Sequence, residues 1–330
     1  EYLNLDHTEL PEGSLETLSS LKMITCDYIQ LDMLRLALGD AAKGLERLNA
    51  SHLKGLEELS YFPGLKSLEM EDCREISDIS ALAQVKDLEN LKLYDMDEVN
   101  DFTVLNVLKK LRSLSIDAEN LKDISFINHM PELASLGITD SKILLLDPLV
   151  GKESLKELVL VDNGEVRDYN PVGTLTGLET LVINKYTSQE DPDLTALTGL
   201  KHGEFHGMMG IRFLGSLTGL EELKVQGCNV DQPSVIASLP ALKKLTYRKN
   251  WGNSDDLSFL AGCQGLTCLD MNHSEFYGDV SYAFNLPALE TLILDSSSFE
   301  VKFDRLQDNP ALKALSLNHV KLYKNIEMWS

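Results

Sequence analysis

The chain has 330 residues, with 30 Lys and Arg against 52 Asp and Glu, and a formal net charge of −22. The apolar fraction of 43% is too high for a disordered acidic chain, and no apolar run approaches the roughly 18 residues of a membrane span. The acidic balance argues against nucleic acid as a partner, because phosphates attract basic patches.

Leucine accounts for 61 residues, nearly one in five, which prompts a search for internal repeats. The chain opens on a strand-like alternation at Leu3 and Leu5, and no basic start followed by an apolar stretch indicates a signal peptide. Neither end shows the polar cap that repeat solenoids use for solubility. We therefore expect the natural protein to extend beyond both ends of this chain.

An irregular longer unit, 18–44, follows the opening strand. Its stretch from Leu31 to Lys43 is predicted to be a helix that ends before Gly44.

The pattern Leu-x-x-Leu-x-(Leu/Ile/Met/Val) then recurs at steps of 20 to 24 residues. Alternating apolar residues predict short strands with one inward face, and such strands bury that face only by stacking on their neighbours. We therefore predict a single solenoid over residues 1–330, of about 14 to 15 units, rather than two globular domains. The clearest copies begin at Leu65, Leu88, Leu111, Leu133, Leu155, Leu178, Leu200, Leu220, Leu242, Leu266, Leu289 and Leu312.

Many units continue with an apolar residue, any residue, Asp, an apolar residue and a polar residue. An Asp at this position can cap a short helical turn. A period near 22 residues leaves room for a 3₁₀ turn but not for a full helix. The predicted capping residues are Asp78, Asp101, Asp123, Asp168 and Asp279.

This repeat resembles that of leucine-rich repeat proteins, whose unit is Leu-x-x-Leu-x-Leu-x-x-(Asn/Cys)-x-Leu with a period of about 20 to 29 residues. The resemblance covers essentially the full chain and is to the 22-residue subclass of bacterial internalin-like surface proteins and a phosphatase-regulating protein. It implies an α/β fold, with a curved parallel β-sheet on the concave face and short 3₁₀ turns or loops on the convex face.

The ninth position of the unit departs from the family pattern, since only Asn163 and Asn250 supply the usual Asn. Glu119 and Tyr186 cannot sit inward there as a small amide does, so we expect an irregular hydrogen-bond ladder. The odd number of Cys and their spacing predict neither a disulfide framework nor a zinc site. Three Cys fall at the ninth position and are predicted to be buried thiols: Cys26, Cys73 and Cys228.

The exposed strand positions of the middle units are acidic, and we predict that they bind a partner. Neighbouring strands are about 5 Å apart, so these like charges repel each other. The column is therefore either an acidic stripe that attracts a basic partner or a solubilising face on an acidic protein. Its residues are Glu69, Glu71, Asp72, Asp95, Asp117, Asp140 and Asp162.

Later units present basic residues at the same positions, and the candidate partner-binding residues include Lys185, Arg248 and Lys249. Aromatic anchors often dominate interface energy. Tyr94 lies beside the acidic column, and Trp251, in an irregular unit, is expected in a loop or packed against the solenoid edge.

His202, Glu204 and His206 are the residues that raise the question of a metal. Alternate strand residues point the same way, but their spacing of about 6.6 Å is stretched for one zinc ion. Gly203 stands at a core Leu position, which leaves the strand register open. We predict no metal site, no cofactor and no catalysis, since the motifs of hydrolases, nucleotide-binding loops and zinc proteases are absent.

The sequence thus predicts a monomeric, non-catalytic module that binds a protein or peptide with a basic patch through the concave face. The resemblance to internalin-like proteins implies a bacterial cell-surface or secreted setting. The alternative, a cytoplasmic regulatory or scaffold subunit of an enzyme complex, is favoured by the unpaired Cys and the missing signal segment.

Overall fold

The computed structural model describes residues 1–185, 190–252, 254–300, 309 and 311–323. The fold consists of two compact units, Glu1–Asp168 (unit 1) and Tyr169–Ser330 (unit 2). In the described part of the chain, no helix has the length and apolar character required to cross a membrane. The expectation of a single solenoid over the whole chain stays a prediction.

Unit 1 contains parallel strands that pair in chain order. They are β1 (Tyr2–Asp6), β2 (Met23–Asp27), β3 (Arg47–Ser51), β4 (Ser67–Glu71), β5 (Asn90–Leu93), β6 (Ser113–Asp117), β7 (Ser135–Thr139) and β8 (Glu157–Val161).

Unit 2 contains strands β9 (Thr180–Asn184), β10 (His202–His206), β11 (Glu222–Gln226), β12 (Asn229–Val230), β13 (Lys244–Arg248), β14 (Trp251–Gly252), β15 (Cys268–Asp270), β16 (Glu275–Asp279), β17 (Thr291–Ile293), β18 (Ser298–Glu300), β19 (Ala314–Ser316) and β20 (Lys321–Tyr323). Two small sheets are separate from the main sheet of this unit: β12 pairs with β14, and β18 lies between β16 and β20. The main sheet of unit 2 runs β9, β10, β11, β13, β15, β17 and β19, all parallel where their register is defined.

Helices are few and short among the described residues. The α-helices are α1 (Leu31–Leu38) and α2 (Ser234–Ala237). The 3₁₀ helices span Gly39–Gly44, Glu57–Tyr61, Ser80–Gln84, Thr103–Val107, Ser125–His129, Asp147–Leu149, Asn170–Thr174, Arg212–Ser216, Leu257–Gly262 and Val280–Asn285. Parallel strands joined through short 3₁₀ turns confirm the fold class that the sequence predicts.

The helix predicted from Leu31 to Lys43 is shorter than expected, because α1 ends at Leu38 and a 3₁₀ helix replaces its second half. Gly39 has a φ of 50° and ends the α-helix, and its N–H donates to the carbonyl of Arg35. A residue in the left-handed region cannot continue a right-handed helix, and glycine adopts it without steric cost.

The repeated leucines form the core of unit 1. Leu68, Leu91, Leu114, Leu136 and Leu158 are cross-strand partners from β4 to β8, and each is at most 1% exposed. Burying one such side chain contributes about 1.5–3 kcal/mol. Leucine at a fixed step along the sequence therefore stabilises the stacking of neighbouring repeats.

Asp residues cap the 3₁₀ turns as predicted. The carboxylate of Asp78 accepts the N–H of Ser80 at 2.8 Å, and that of Asp101 accepts the N–H of Thr103 at 2.8 Å. Asp123 and Asp279 accept the N–H two residues ahead in the same way. The N–H and hydroxyl of Ser80 hold the pKa of Asp78 below its usual value, because they stabilise the ionised form.

The ninth-position ladder is irregular, as expected. Asn163 accepts the hydroxyl of Ser141 at 2.6 Å and donates to the carbonyl of Ile138 at 2.8 Å. Cys228, in unit 2, donates to the carbonyl of Phe205 at 3.3 Å. Cys73 and Cys228 occupy the ninth position, but the prediction for Cys26 was wrong: it pairs with Ala50, which pairs with Met70, and so lies at the sixth position, within β2. All three are buried, and burial raises the pKa of Cys26 to about 12. These thiols therefore pack in the core.

Candidate binding surface

The sheet face, defined as the side chains that point away from the core along each strand and on to the eighth position of each repeat, contains most of the predicted partner-binding residues. In unit 1, Glu69, Glu71 and Asp117 occupy outward strand positions, and Tyr94 directly follows β5 and is partly exposed. The other predicted acids follow their strands, at the eighth position of the repeat: Asp72, Asp95, Asp140 and Asp162. The acidic column therefore mixes two kinds of position.

The eighth position has a backbone conformation that the sequence analysis missed. The φ angles are 53° at Asp72, 56° at Asp95, 46° at Asp140 and 55° at Asp162. Asp and Gly tolerate this left-handed conformation better than most residues, and unit 2 has Gly207 at the same position with a φ of 68°. Backbone geometry is thus a structural reason for Asp in this column, which charge repulsion alone had seemed to oppose.

A pair of substitutions tests this explanation. Asp140→Gly and Asp140→Val remove the same charge, but only valine is strained at a φ of 46°. We expect the glycine variant to stay within about 0.5 kcal/mol of the parent and the valine variant to lose about 1–2 kcal/mol. Urea unfolding of both variants measures the difference, and equal stabilities would refute the backbone explanation.

Five carboxylates form an acidic cluster on unit 1: Asp95, Asp97, Asp117, Asp140 and Asp162. Partial burial, followed by the charges of Asp140 and Asp95, raises the pKa of Asp117 to about 6. Among the residues that the structure describes, Asp95, Asp117 and Asp140 form no ion pair, and nearby Lys142 is paired with Glu119 at 2.6 Å. Asp97 was not predicted, because it lies beyond the strand positions that the repeat defines.

The shift at Asp117 predicts a pH dependence of stability. Between about pH 4 and pH 6 the folded chain keeps a proton on Asp117 that the unfolded chain has lost, so stability falls as the pH rises. Asp117→Asn removes this cost, and we expect a gain of about 1 kcal/mol at pH 7 after allowance for solvent screening. The gain should vanish near pH 3.5. Thermal unfolding at both pH values checks it, with Glu153→Gln as an exposed control that should show no such pattern.

Two of the other predicted acids of unit 1, Glu69 and Asp72, are partly neutralised. Glu69 is paired with Lys92 at 3.1 Å, which raises the pKa of that ammonium group. Asp72 is paired with Arg74 at 2.8 Å. Among the described residues, negative charge that no ion pair offsets therefore remains at Asp95, Asp117 and Asp140, and also at the exposed Glu71.

Lys185 is not on the sheet face, and its prediction as an exposed contact was wrong. Its side chain is buried, and its ammonium group donates to the carbonyl of Glu190 at 2.8 Å and to Asp191 at 3.1 Å. Lys185 lies at the eighth position of its repeat, but its φ is not in the left-handed region. Strand alternation therefore continues and directs its side chain towards the core. Ala118 is buried for the same reason, which leaves Glu119 exposed. Tyr186, the ninth residue, lies outside the described residues.

Three other predicted residues of unit 2 are accessible. Arg248 is partly exposed and forms an ion pair with Asp270, and Lys249 is exposed with a φ of 48°. Trp251 lies in the short strand β14 rather than in a loop, and its N–H donates to the carbonyl of Cys228 at 3.0 Å. Its side chain is 47% exposed, so it does not pack fully against the solenoid edge.

His202, Glu204 and His206 do share the sheet face, and β10 keeps its regular register with β9 and β11. The Oε1 atom of Glu204 lies 2.7 Å from Nε2 of His206 and accepts a hydrogen bond from the ammonium group of Lys224 at 2.6 Å. His206 and Lys224 lower the pKa of Glu204 to about 2. A carboxylate already held by a lysine is a poor metal ligand, because the bound ammonium repels a second cation.

Gly203 occupies a core position where the repeat usually has leucine. The ring of Phe205 fills the space that a larger side chain there would need. A Cβ built at Gly203 would lie 2.7 Å from the ring of Phe205. Phe205 itself is fully buried and meets Phe213 edge-on, with 5.0 Å between ring centroids. The glycine therefore reflects core packing rather than a slipped strand.

No protein-family model matches the sequence, and no curated protein matches it. The fold is similar to that of an internalin (inlF) from Listeria monocytogenes, with a TM-score of 0.71, 21% identity and coverage of 96% of this chain and 92% of that one. It is also similar to a leucine-rich repeat protein from Leptospira interrogans, with a TM-score of 0.67, 15% identity and coverage of 96% and 88%.

A third similar structure is the leucine-rich repeat ectodomain of the plant membrane receptor kinase GASSHO1/SCHENGEN3 from Arabidopsis thaliana, solved in complex with CASPARIAN STRIP INTEGRITY FACTOR 2. Its TM-score is 0.54 at 16% identity, and the match covers 97% of this chain and 43% of that one. The parallel strands, the 3₁₀ turns and these likenesses agree: the chain has the leucine-rich repeat fold.

Proposed function

We propose that the chain is a non-catalytic binding module that recognises a basic segment of a protein or peptide at the acidic cluster of unit 1. The observation behind this proposal is the grouping of Asp95, Asp117 and Asp140, which form no ion pair among the described residues. Partial burial and the charges of these neighbours raise the pKa of Asp117 to about 6. A cationic side chain placed there relieves the repulsion between them. Electrostatic attraction of this kind also speeds encounter with an oppositely charged partner.

The fold supports binding as the general role. One structural neighbour is a leucine-rich repeat ectodomain in complex with CASPARIAN STRIP INTEGRITY FACTOR 2, so the same fold serves recognition in that protein. Lys142, the cation nearest to Asp140 in sequence, is engaged by Glu119. Within the described residues Asp95, Asp117 and Asp140 are thus left to attract a cation from outside the chain.

A fluorescence titration tests the proposal with a labelled peptide of alternating Arg and Gly, and with a peptide of alternating Glu and Gly as its matched control. We expect the Arg peptide to bind and its affinity to fall at least tenfold between about 50 and 200 mM salt, because exposed charges are screened over a Debye length of about 10 Å. Equal binding of both peptides would contradict the proposal.

We also propose a bacterial surface or secreted setting, which the likeness to an internalin from Listeria monocytogenes supports. Fractionation of the cells that naturally produce the protein tests this setting. The protein is expected at the cell surface or in the medium. Recovery in the cytosol would contradict it and would favour the regulatory-subunit alternative.

A further inference from the structure

The first two strands of unit 1 place a group of potential metal ligands together. Asp6, His7 and Asp27 each offer one ligand atom, and these atoms all lie within 4.8 Å of one another. Asp6 and Asp27 are cross-strand partners at the ends of β1 and β2. Like charges at paired positions destabilise a sheet, and a cation between the two carboxylates would remove that repulsion.

Stacked aromatic rings hold the imidazole of this group in place. The ring of His7 stacks on Tyr28 with 4.9 Å between centroids and 21° between planes. Tyr28 in turn stacks on His52 at 3.9 Å and 14°. The three residues have φ angles of 46°, 58° and 57°, at the eighth position where the next units have Asp. A tyrosine in this backbone region is unusual, so the ring stack persists despite a local backbone cost.

Contacts behind the ligand atoms orient two of the three groups. The Nδ1 atom of His52 lies 2.7 Å from Oδ1 of Asp27, which fixes that carboxylate. The Tyr28 ring fixes the plane of His7, whose Nε2 atom lies 3.7 Å from Oδ1 of Asp6. Metal ligands in proteins are characteristically oriented by partners of this kind.

The geometry and the donor types indicate which ion fits. Bonds of about 2.1 Å to a tetrahedral zinc ion place the ligand atoms about 3.4 Å apart, and the 3.7 Å between Asp6 and His7 is close to this. The ligand atoms all lie within 4.8 Å of one another, so a shared ion requires a modest side-chain rotation, for which the exposed Asp6 and His7 side chains have room. One nitrogen and two carboxylates suit zinc or a similar divalent transition metal, whereas Ca²⁺ takes about 6–8 oxygens.

We propose that Asp6, His7 and Asp27 bind a divalent transition-metal ion of the zinc type. His52 and Tyr28 are positioning residues, and water completes the coordination. This site is separate from the acidic cluster, so its test is independent of the proposed peptide binding.

Isothermal titration of the tag-free chain with Zn²⁺ tests the site. We expect one ion per chain, with affinity weakened at least tenfold by His7→Ala and by Asp27→Asn, and by about tenfold in His52→Ala. His273→Ala is the matched control, because His273 also has a positive φ, of 53°, in unit 2, and it should leave the affinity unchanged. A hundredfold excess of Ca²⁺ should not displace the bound ion.

A second readout guards against misfolded variants. Zn²⁺ should raise the melting temperature of the parent chain and of His273→Ala, but not of His7→Ala or Asp27→Asn, while all four chains unfold cooperatively without metal. The proposal is overturned if the parent chain binds no stoichiometric Zn²⁺, if the His7 and Asp27 variants retain its affinity, or if His273→Ala loses it.

Discussion

Replacing Asp95, Asp117 and Asp140 together by Asn is expected to weaken binding of the Arg-Gly peptide by at least about thirtyfold, which corresponds to about 2 kcal/mol. The physical reason is that the three carboxylates supply most of the attraction in the acidic cluster, where partial burial, together with the charges of Asp140 and Asp95, raises the pKa of Asp117 to about 6. Asn is the suitable replacement, because it tolerates the positive φ of Asp95 and Asp140. Fluorescence anisotropy at 50 mM salt measures the loss.

A control of equal charge separates the site from the overall charge of the protein. Asp87→Asn, Glu132→Gln and Glu153→Gln together remove three negative charges from exposed positions outside the sheet face. This control variant should keep binding within about twofold, because attraction between exposed charges beyond a Debye length is screened. If both triple variants lose the same affinity, the peptide senses net charge and the cluster is not a site.

Asp191→Ala is expected to destabilise the chain by about 3 kcal/mol or more, whereas Lys185→Met should change stability by less than about 1 kcal/mol. Lys185 is 1% exposed, and its ammonium group has the Asp191 carboxylate at 3.1 Å. Removal of the carboxylate takes the Asp191 ion pair away from a buried charge, while removal of the lysine also removes that charge. Guanidinium unfolding gives both values.

The double variant Lys185→Met/Asp191→Ala sharpens this test. If Asp191→Ala is destabilising because it removes the ion-pair partner of the buried Lys185 ammonium group, adding Lys185→Met should recover most of the lost stability. Asp191 also accepts the N–H of Met209 at 3.0 Å, and that loss should remain. A double variant no more stable than Asp191→Ala would contradict the burial of Lys185 as an ion pair.

The fold was predictable from sequence because its signal is repeated. A leucine at a step of 20 to 24 residues determines both the strand and its inward face, and Leu68, Leu91 and Leu114 are buried cross-strand partners as that pattern requires. The capping role of Asp78 was equally local, since a carboxylate two residues before a turn N–H needs no tertiary information.

The surface was less predictable, because it depends on backbone conformation at one position. Counting from Leu178 placed Lys185 on the exposed face, but the left-handed residue that interrupts strand alternation in other units is missing there, and the side chain turns inward. The same conformation explains Asp140, which the charge pattern alone left ambiguous. A possible sequence signal was the mixture of Asp, Gly and His at the eighth position, the residues that tolerate positive φ.

A basic segment is proposed to bind the sheet face of unit 1 at the acidic cluster. The most direct test is photo-crosslinking of the Arg-Gly peptide, with a benzophenone group at its centre, followed by mass spectrometry of the crosslinked residues. We predict crosslinks on the sheet face of β5 to β8, at residues such as Tyr94, Ser115 and Thr139. Crosslinks concentrated on the 3₁₀ turns, such as Ser80–Gln84, or on unit 2 would contradict the claim.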